Sequence, residues 1–403
     1  ILCLSVVCSC KDAIDKNAAN NTTQTQQKED SSAISELITD LGDLIYDQPD
    51  TFLLHEDSIV NIINGIVYQN AAQATSLQFL HLNVGYVYRQ NGQILKAINA
   101  YEKAIELYFK FNDTSINFTE YYVKPLGSLY TMTGDLQKAS DLQWMDINNP
   151  KTSAENKASL YANLAITTKQ QEQFDSAIQI CKKGLLHTNN KSTTALRLYN
   201  EITANYIALA QYDSAEVYNT LSQNILLNIQ DDARKESLTW ASTTKSNSAR
   251  LAQHKGNNTL AYQYISEAIA LLENNFTSSH QREKAKLYLT KANILKDLGN
   301  HTTAIENYQK ALQLINPKEL QYFPDNTVTD CYAGIAFCST NENIAIEHFQ
   351  KAIENDYIVQ QFIKTKESNY LNSAQGRNML KSASELLYKQ YQTLFRSERQ
   401  KIK

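Results

Sequence analysis

The residues most capable of chemistry in this chain of 403 amino acids are its six cysteines and seven histidines. Three cysteines crowd the first ten residues, whereas Cys181, Cys331 and Cys338 are scattered. A zinc site needs cysteines and histidines in closely spaced pairs such as Cys-x2-Cys, and the sequence contains none. The three scattered cysteines are therefore predicted to be small apolar core residues.

Side chains that act in catalysis show no arrangement typical of an enzyme. The sequence has no Gly-x4-Gly-Lys-Ser/Thr phosphate loop, no His-Glu-x2-His zinc motif and no Gly-x-Ser-x-Gly nucleophile turn. His348 and Cys338 would form a dyad only if two helices brought them together, so we favour separate core or surface positions. We predict no catalytic residue, no cofactor and no metal.

Two further groups have a chemical and a structural interpretation, and we favour the structural one for both. The acidic pair Asp231-Asp232 is predicted to be solvated in a loop. The aromatic residues that would suit a ligand platform are predicted to pack between helices instead, and these are Tyr121, Tyr122 and Trp240.

Cys10 is the position at which the sequence predicts a covalent modification. The apolar run over residues 1–8 is shorter than the roughly 20 residues that span a bilayer. Val7-Cys8-Ser9-Cys10 resembles the lipobox of bacterial lipoproteins, in which the last cysteine is acylated. The resemblance implies that residues 1–10 are the remnant of a signal peptide. It also implies an exported, membrane-anchored lipoprotein in the periplasm or at the cell surface. An ordinary secretory signal or a trimmed terminus is the alternative.

Composition favours a helical protein. Eleven glycines and five prolines are too few for the closely spaced turns of an all-β sandwich or barrel. The 42% of hydrophobic residues is typical of a folded chain, whereas residues 11–31 are polar and predict a flexible tether. A formal net charge of −4 gives no general attraction for nucleic acid, so no nucleic-acid partner is predicted.

Small residues recur at a fixed spacing along most of the chain. Seven alanines, 38 to 46 residues apart, anchor the pattern, and these are Ala97, Ala139, Ala177, Ala215, Ala261, Ala304 and Ala345. Twelve residues before the anchors stand Gly85, Gly127, Ala165, Thr203, Ala249, Ala292 and Ala333. Seven residues after them stand Ala104, Asp146, Gly184, Ser222, Ala268, Ala311 and Ala352, of which only the aspartate is not small. The pattern predicts seven helix pairs in series.

Antiparallel helices approach closely only where their side chains are small. The upstream small residue is predicted to face the anchor alanine, and the downstream one to receive the next pair. Four glycines recur five residues before an anchor, and each is predicted to end the first helix in the left-handed conformation: Gly92, Gly134, Gly256 and Gly299. Tyr101 and Tyr308, four residues after their anchors, are predicted to fill the space between layers.

This pattern resembles the tetratricopeptide repeat. Gly85-x2-Tyr88…Gly92…Ala97-x3-Tyr101-x2-Ala104 carries the resemblance best, followed by Ala292…Gly299…Ala304-x3-Tyr308-x2-Ala311. The resemblance implies an all-α fold over residues 76–357, a right-handed superhelical solenoid of antiparallel helix pairs. Its seven or so repeats are about 40 residues long, against the common repeat of 34. The second and fourth copies depart from the pattern, because Gln143 and Asn219 replace the aromatic residue.

Helices are predicted on both sides of the array. Residues 32–75 carry apolar stripes at helical spacing and are assigned to N-terminal capping helices. Residues 358–403 carry a stripe from Met379 to Leu394 and are assigned to bridging helices that lead into a further domain.

Repeat arrays of this kind bind other chains in a groove lined by the first helix of each pair. The repeat register places ten residues there: Tyr86, Arg89, Lys124, Lys169, Arg197, Asn200, Arg250, Lys286, Asn293 and Lys296. Basic residues outnumber acidic ones in this set, which favours an acidic or carboxylate-terminated protein or peptide ligand. A solvated face without a preferred ligand is the alternative.

The layout also resembles bacterial CHAT-domain proteins, in which a repeat array and a bridging helix precede a caspase-like domain. The matching stretches are Tyr122-Val-Lys-Pro-Leu-Gly127-Ser-Leu-Tyr130, Arg282-Glu-Lys-Ala-Lys-Leu-Tyr288 and the helix from Arg377 to Phe395. The resemblance implies a non-enzymatic, ligand-sensing array that contacts a catalytic domain beyond Lys403. The alternatives are the sensor half of a membrane signalling regulator and a glycan-binding surface lipoprotein. A lipid anchor would be the array's contact with the membrane.

Overall fold

A computed structural model of the chain describes residues 24–111, 116–228, 231–276, 280–315, 326–362 and 374–401. Cys10, the predicted signal remnant and most of the predicted tether lie outside these residues. Helices make up nearly all of the described part, which contains no strand, so the predicted all-α class is confirmed. The chain forms two compact units, Ile1–Leu126 and Gly127–Lys403, called units 1 and 2 below.

Unit 1 contains the N-terminal helices and the first helix pair. Its helices are α1 (Gln24–Asp47), α2 (Pro49–Leu54), α3 (Glu56–Gly65), α4 (Ala71–Gln90) and α5 (Ile94–Phe111), followed by a π-helical turn (Thr119–Val123). Helix α1 begins inside the segment that the sequence assigns to the tether, so residues 24–31 are helical. It buries Ile38, Leu41 and Ile45, three residues of the predicted stripe, and it packs on α4.

Helix α6 (Lys124–Met132) crosses the boundary between the units, and unit 2 contains the remaining helices. These are α7 (Leu136–Ile147), α8 (Ala154–Gln170), α9 (Phe174–Leu185), α10 (Thr193–Ala208), α11 (Tyr212–Asn228), α12 (Asp231–His254), α13 (Asn258–Asn275), α14 (Gln281–Asp297), α15 (His301–Ile315), α16 (Asn326–Cys338), α17 (Glu342–Phe362) and α18 (Ala374–Lys401). The seven pairs begin at α4, α6, α8, α10, α12, α14 and α16. Asp231 and Asp232 start helix α12, so their assignment to a loop is wrong.

The repeat register is confirmed at all 21 of its small-residue positions, each of which is buried. Asp146, the one of these 21 residues that is not small, accepts a hydrogen bond from the Thr152 hydroxyl. Gly85 shows which side chain approaches the upstream position most closely in the first pair. A Cβ on Gly85 would meet the Tyr101 ring at 3.0 Å, so the aromatic residue, rather than the anchor alanine, lies nearest the upstream glycine.

Six of the seven turns inside the pairs use one backbone conformation. Glycine has a positive φ of 73–75° in four of them, as predicted. Glu172 (φ 59°) and Ala210 (φ 55°) take the same position in the third and fourth pairs, where the sequence offers no glycine. In each of these six turns two consecutive backbone N–H groups donate to carbonyls of the first helix, as at Gly92 and Gln93, where these bonds are 3.2 and 2.9 Å long. The turn geometry is therefore set by backbone hydrogen bonding, which outweighs the cost of a left-handed non-glycine residue.

Gln143 and Asn219, which replace the aromatic residue in the second and fourth copies, bind the following pair through polar contacts. Gln143 is fully buried and accepts a hydrogen bond from the Thr167 hydroxyl at 3.4 Å. Asn219 donates to the hydroxyl of Ser248 at 2.9 Å. Each partner lies on the first helix of the following pair, so the amide side chains join adjacent repeats, as Tyr308 does elsewhere.

The hydrophobic core of unit 2 is a succession of clusters between neighbouring pairs. One joins the third and fourth pairs, another joins the sixth and seventh, and the last joins the seventh pair to α18 through buried Met379. Cys181, Cys331 and Cys338 are buried in these clusters, as predicted. Because each cluster links neighbours only, the stability of the array is approximately a sum over repeats and their interfaces.

Candidate functional site

The first helices of successive pairs in unit 2 touch one another through polar and aromatic side chains. We call the described set that joins α8, α10 and α12 the first-helix face, and its residues are Asn163, Lys169, Arg197, Glu201 and Trp240. Two of them, Lys169 and Arg197, belong to the set predicted from the repeat register.

An ion pair and a hydrogen bond connect α8 to α10. The Lys169 ammonium lies 2.6 Å from the Glu201 carboxylate, and the Arg197 guanidinium donates to the side-chain oxygen of Asn163. Glu201 is only 9% exposed, so this pair is shielded from water more than an ordinary surface pair. Lys169 and Arg197 are therefore engaged within the protein.

Arg197 also reaches the next first helix. Its guanidinium lies 5.0 Å from the centre of the Trp240 ring, within the range of a cation–π contact. Burial lowers the pKa of Arg197, and the Glu201 carboxylate opposes that shift. The Nε atom is buried and has no hydrogen-bond partner among the described residues. Trp240, predicted as a helix-packing residue, thus also covers a cation.

Asn200 is buried between the first helices α10 and α12. It is 1% exposed, and its amide donates to the Trp240 carbonyl at 3.0 Å and accepts from the Thr244 hydroxyl at 2.9 Å. Asn247 donates to the Asn200 carbonyl at 3.2 Å. The predicted groove residue Asn200 therefore bonds α10 to α12 in the interior and does not offer its amide at the surface.

The remaining predicted residues of unit 2 differ in exposure. Lys286 is exposed on α14, and Lys296 is half-buried with its ammonium 6.0 Å from the Phe337 ring centre on α16. Asn293 accepts a hydrogen bond from the Tyr308 hydroxyl at 2.6 Å. Arg250 is half-buried, and burial lowers its pKa. Lys286, Asn293 and Lys296 are spaced seven and three residues apart, which places them along one side of α14.

Unit 1 holds the other three predicted residues. Tyr86 is 53% exposed and lines a cleft of about 290 Å³ together with Tyr46 and Pro49. Arg89 is exposed and hydrogen-bonds the Tyr101 side chain. Lys124 forms an ion pair with Glu120, four residues earlier on the same helical segment. For all ten residues of the predicted set, a role in ligand binding stays a prediction.

Cys338 and His348, the pair considered as a catalytic dyad, are in structural positions. Burial raises the pKa of the Cys338 thiol, which disfavours the thiolate that a nucleophile needs. The ring of His348 donates from Nδ1 to the Ile344 carbonyl at 2.8 Å. Among the described residues, His, Cys, Asp and Glu side chains form no cluster of three that suits a metal ion. The described helices also include none with the length and apolar character needed to cross a membrane.

Comparison with known proteins identifies the repeat. Residues 80–111 and 285–317 each match the family model of the tetratricopeptide repeat. These two segments contain the first and sixth copies, in which the small-residue pattern is most complete, so this resemblance is confirmed. A search of curated proteins finds no match.

Several solved structures match the chain at low sequence identity. A Rap protein complexed with Competence and Sporulation Factor matches with a TM-score of 0.51 and 11% identity, over 89% of this chain and 98% of that chain. A signal transduction ATPase with a tetratricopeptide repeat sensor from Pyrococcus horikoshii matches with a TM-score of 0.49 and 14% identity. That match covers 94% of this chain and 60% of the ATPase. A tetratricopeptide repeat protein from Parabacteroides merdae matches with a TM-score of 0.44 and 15% identity. That match covers 71% of this chain and 97% of the other protein. At such identities the Rap match establishes the fold alone, a tetratricopeptide-type helical solenoid.

Proposed function

We propose that this chain of tetratricopeptide repeats is a non-enzymatic scaffold that binds a protein or peptide along its first-helix face. The observation that carries the proposal is the lateral contact of α8, α10 and α12 through polar and aromatic side chains. The hydrogen bond from Gln253 on α12 to Asp297 on α14, 2.6 Å long, continues this line into the sixth pair. A surface built from one helix per repeat offers contacts at regular intervals, which suits an extended chain.

A fold-level parallel supports a bound protein or peptide factor. The Rap protein that shares this fold has been solved in complex with Competence and Sporulation Factor. The parallel extends to the fold, and the ligand of this chain has to be argued from its own residues.

The charge of the proposed ligand follows from which basic side chains have no ion-pair partner within the protein. Glu201 and Asn163 engage Lys169 and Arg197, so these two basic residues stiffen the face. Lys286 and Lys296, on the same side of α14, have no carboxylate within ion-pair distance among the described residues. We therefore propose that acidic side chains or a terminal carboxylate of the ligand meet α14.

The acidic-ligand proposal is tested with an array of short peptides in which each acidic peptide is matched by its amide counterpart. The double variant Lys286→Glu/Lys296→Glu is expected to weaken binding of the acidic peptides by about tenfold or more, with a smaller effect at high salt. The control is Lys310→Glu, an exposed lysine on the second helix of the same pair. Binding that ignores the charge of the peptide, the double variant and the salt would contradict an acidic ligand.

We also propose that the protein is an exported lipoprotein anchored through Cys10. The proposal rests on the lipobox resemblance of Val7-Cys8-Ser9-Cys10. Each buried CH2 of an acyl chain contributes about 0.8 kcal/mol to membrane binding, so a multiply acylated cysteine anchors stably. With a complete signal peptide supplied, Cys10→Ser is expected to move the protein to the soluble fraction, and Cys8→Ser serves as the control. Membrane retention of Cys10→Ser would contradict the anchor.

A larger protein context is a further part of the proposal. Helix α18 keeps Leu387 and Tyr388 about half exposed or more, and such apolar residues suit contact with another domain. We propose that the array regulates a caspase-like domain after residue 403, as the resemblance to CHAT-domain proteins implies. Reading the gene beyond Lys403 tests this directly, since it must encode the histidine and cysteine of such a domain.

A further inference from the structure

A small cleft in unit 1 has no part in the proposed scaffold function. It lies between α3, α4 and α5 and has a volume of about 170 Å³. Drug-sized ligands occupy sites of roughly 300–1,000 Å³, so this cleft fits a ligand of a few non-hydrogen atoms. Buried Ile63, Val84 and Tyr88 give it apolar lining, and Asn61, Asn64 and Asn99 also line it.

A largely buried histidine lines this cleft. His81 is 7% exposed, and the hydrogen bonds of the described residues include none to its imidazole. His81 is not among the residues whose side-chain nitrogen or oxygen atoms are fully buried and unpaired, so its ring nitrogens keep access to the cleft and can bond a molecule bound there. Burial, with a smaller effect from the Lys103 charge, lowers the pKa of His81 to about 4. The ring is therefore neutral at pH 7 and has one N–H to donate.

Three lysines on α5, each seven residues from the next, contact residues 56–68, in and just after helix α3. Lys96 lies 2.5 Å from the Glu56 carboxylate, whereas Lys110 donates to the Tyr68 hydroxyl at 2.7 Å. Lys103, between them, donates to the side-chain oxygen of Asn64 at 2.6 Å. Lys103 is the lysine that lines the cleft without a carboxylate partner among the described residues.

We propose that this cleft binds a small monocarboxylate, with its carboxylate between the Lys103 ammonium and the His81 N–H. Charge-assisted hydrogen bonds of this kind are stronger than neutral ones, and they would satisfy both groups. The apolar interior suits a short aliphatic body. Asp57 at the edge of the cleft opposes a second negative charge, which selects a monocarboxylate over a dicarboxylate.

The test uses butyrate and the neutral, equally sized butyramide as probes on the full chain. NMR follows the imidazole resonances of His81, assigned by comparison with His81→Gln. Butyrate is expected to shift these resonances and to bind at least about tenfold more tightly than butyramide. Lys103→Met is expected to weaken butyrate binding by a similar factor, whereas Lys103→Arg and Lys110→Met retain it.

Each contrary result would overturn the proposal. Equal binding of butyrate and butyramide would mean that the carboxylate is not recognised. Unchanged butyrate affinity in Lys103→Met would remove the lysine from the site, and an unshifted His81 would place any binding elsewhere. The His81 resonances of each variant without ligand verify that the cleft is folded. Because these residues lie in unit 1, failure of this proposal leaves the peptide-binding proposal for α14 unaffected.

Discussion

Gly334→Ala is expected to destabilise the array by about 2–3 kcal/mol, even though alanine normally favours a helix. A Cβ at this position would lie 2.2 Å from Cζ of Tyr308 and 2.5 Å from Cε1 of the same ring. Real Cβ atoms do not approach so closely, so the ring or helix α16 has to move. Tyr308 is fully buried and its hydroxyl is bonded to Asn293, so the ring has little freedom to yield. Chemical denaturation, monitored by circular dichroism, measures the decrease in the free energy of unfolding.

Two companion variants separate the clash from other effects. A Cβ on Gly42, in helix α1, would meet no atom within 4 Å, so Gly42→Ala is expected to stabilise by about 0.5–1 kcal/mol. In the double variant Gly334→Ala/Tyr308→Leu the alanine is expected to add little to the cost of losing the ring. An undiminished penalty in that background would show that Tyr308 is not what excludes a side chain at residue 334.

Ala304→Leu is expected to cost about 1–3 kcal/mol by overpacking. Ala304 is the anchor of the sixth pair and is fully buried in one cluster with Ala292, Tyr308 and Cys331. The control is Ala270→Leu, an exposed alanine on the second helix of the fifth pair, where a change within about 0.5 kcal/mol is expected. Equal unfolding curves for Ala304→Leu and the unmodified protein would contradict close helix packing at the anchor.

The periodicity of small residues carries enough information to predict the helix pairs. A residue such as Ala304 is small because two helices approach there, and this requirement repeats in every copy. Four turns are also visible in the sequence because glycine fills the left-handed position. The turns at Glu172 and Ala210 cannot be recognised in this way, because backbone hydrogen bonding holds the same conformation there without glycine.

Features made by contacts between repeats are not visible in the sequence. Gly334 lies outside the repeat register, and its need for glycine comes from a tyrosine of the previous pair. The register also placed Asn200 in the groove, but bonds to Trp240 and Thr244 hold it in the interior. The partners Asn163 and Glu201 carry no sequence signal, because one helix face does not reveal which residue of the next helix lies opposite.

Hydrogen exchange of the full chain, with and without an acidic peptide selected from the array, tests the scaffold function most directly. Ligand binding along the first-helix face and its continuation on α14 predicts slower exchange in α8, α10, α12 and α14. The second helices α9, α11, α13 and α15 should change little. Protection confined to those second helices, with the first helices unchanged, would contradict the proposed binding surface.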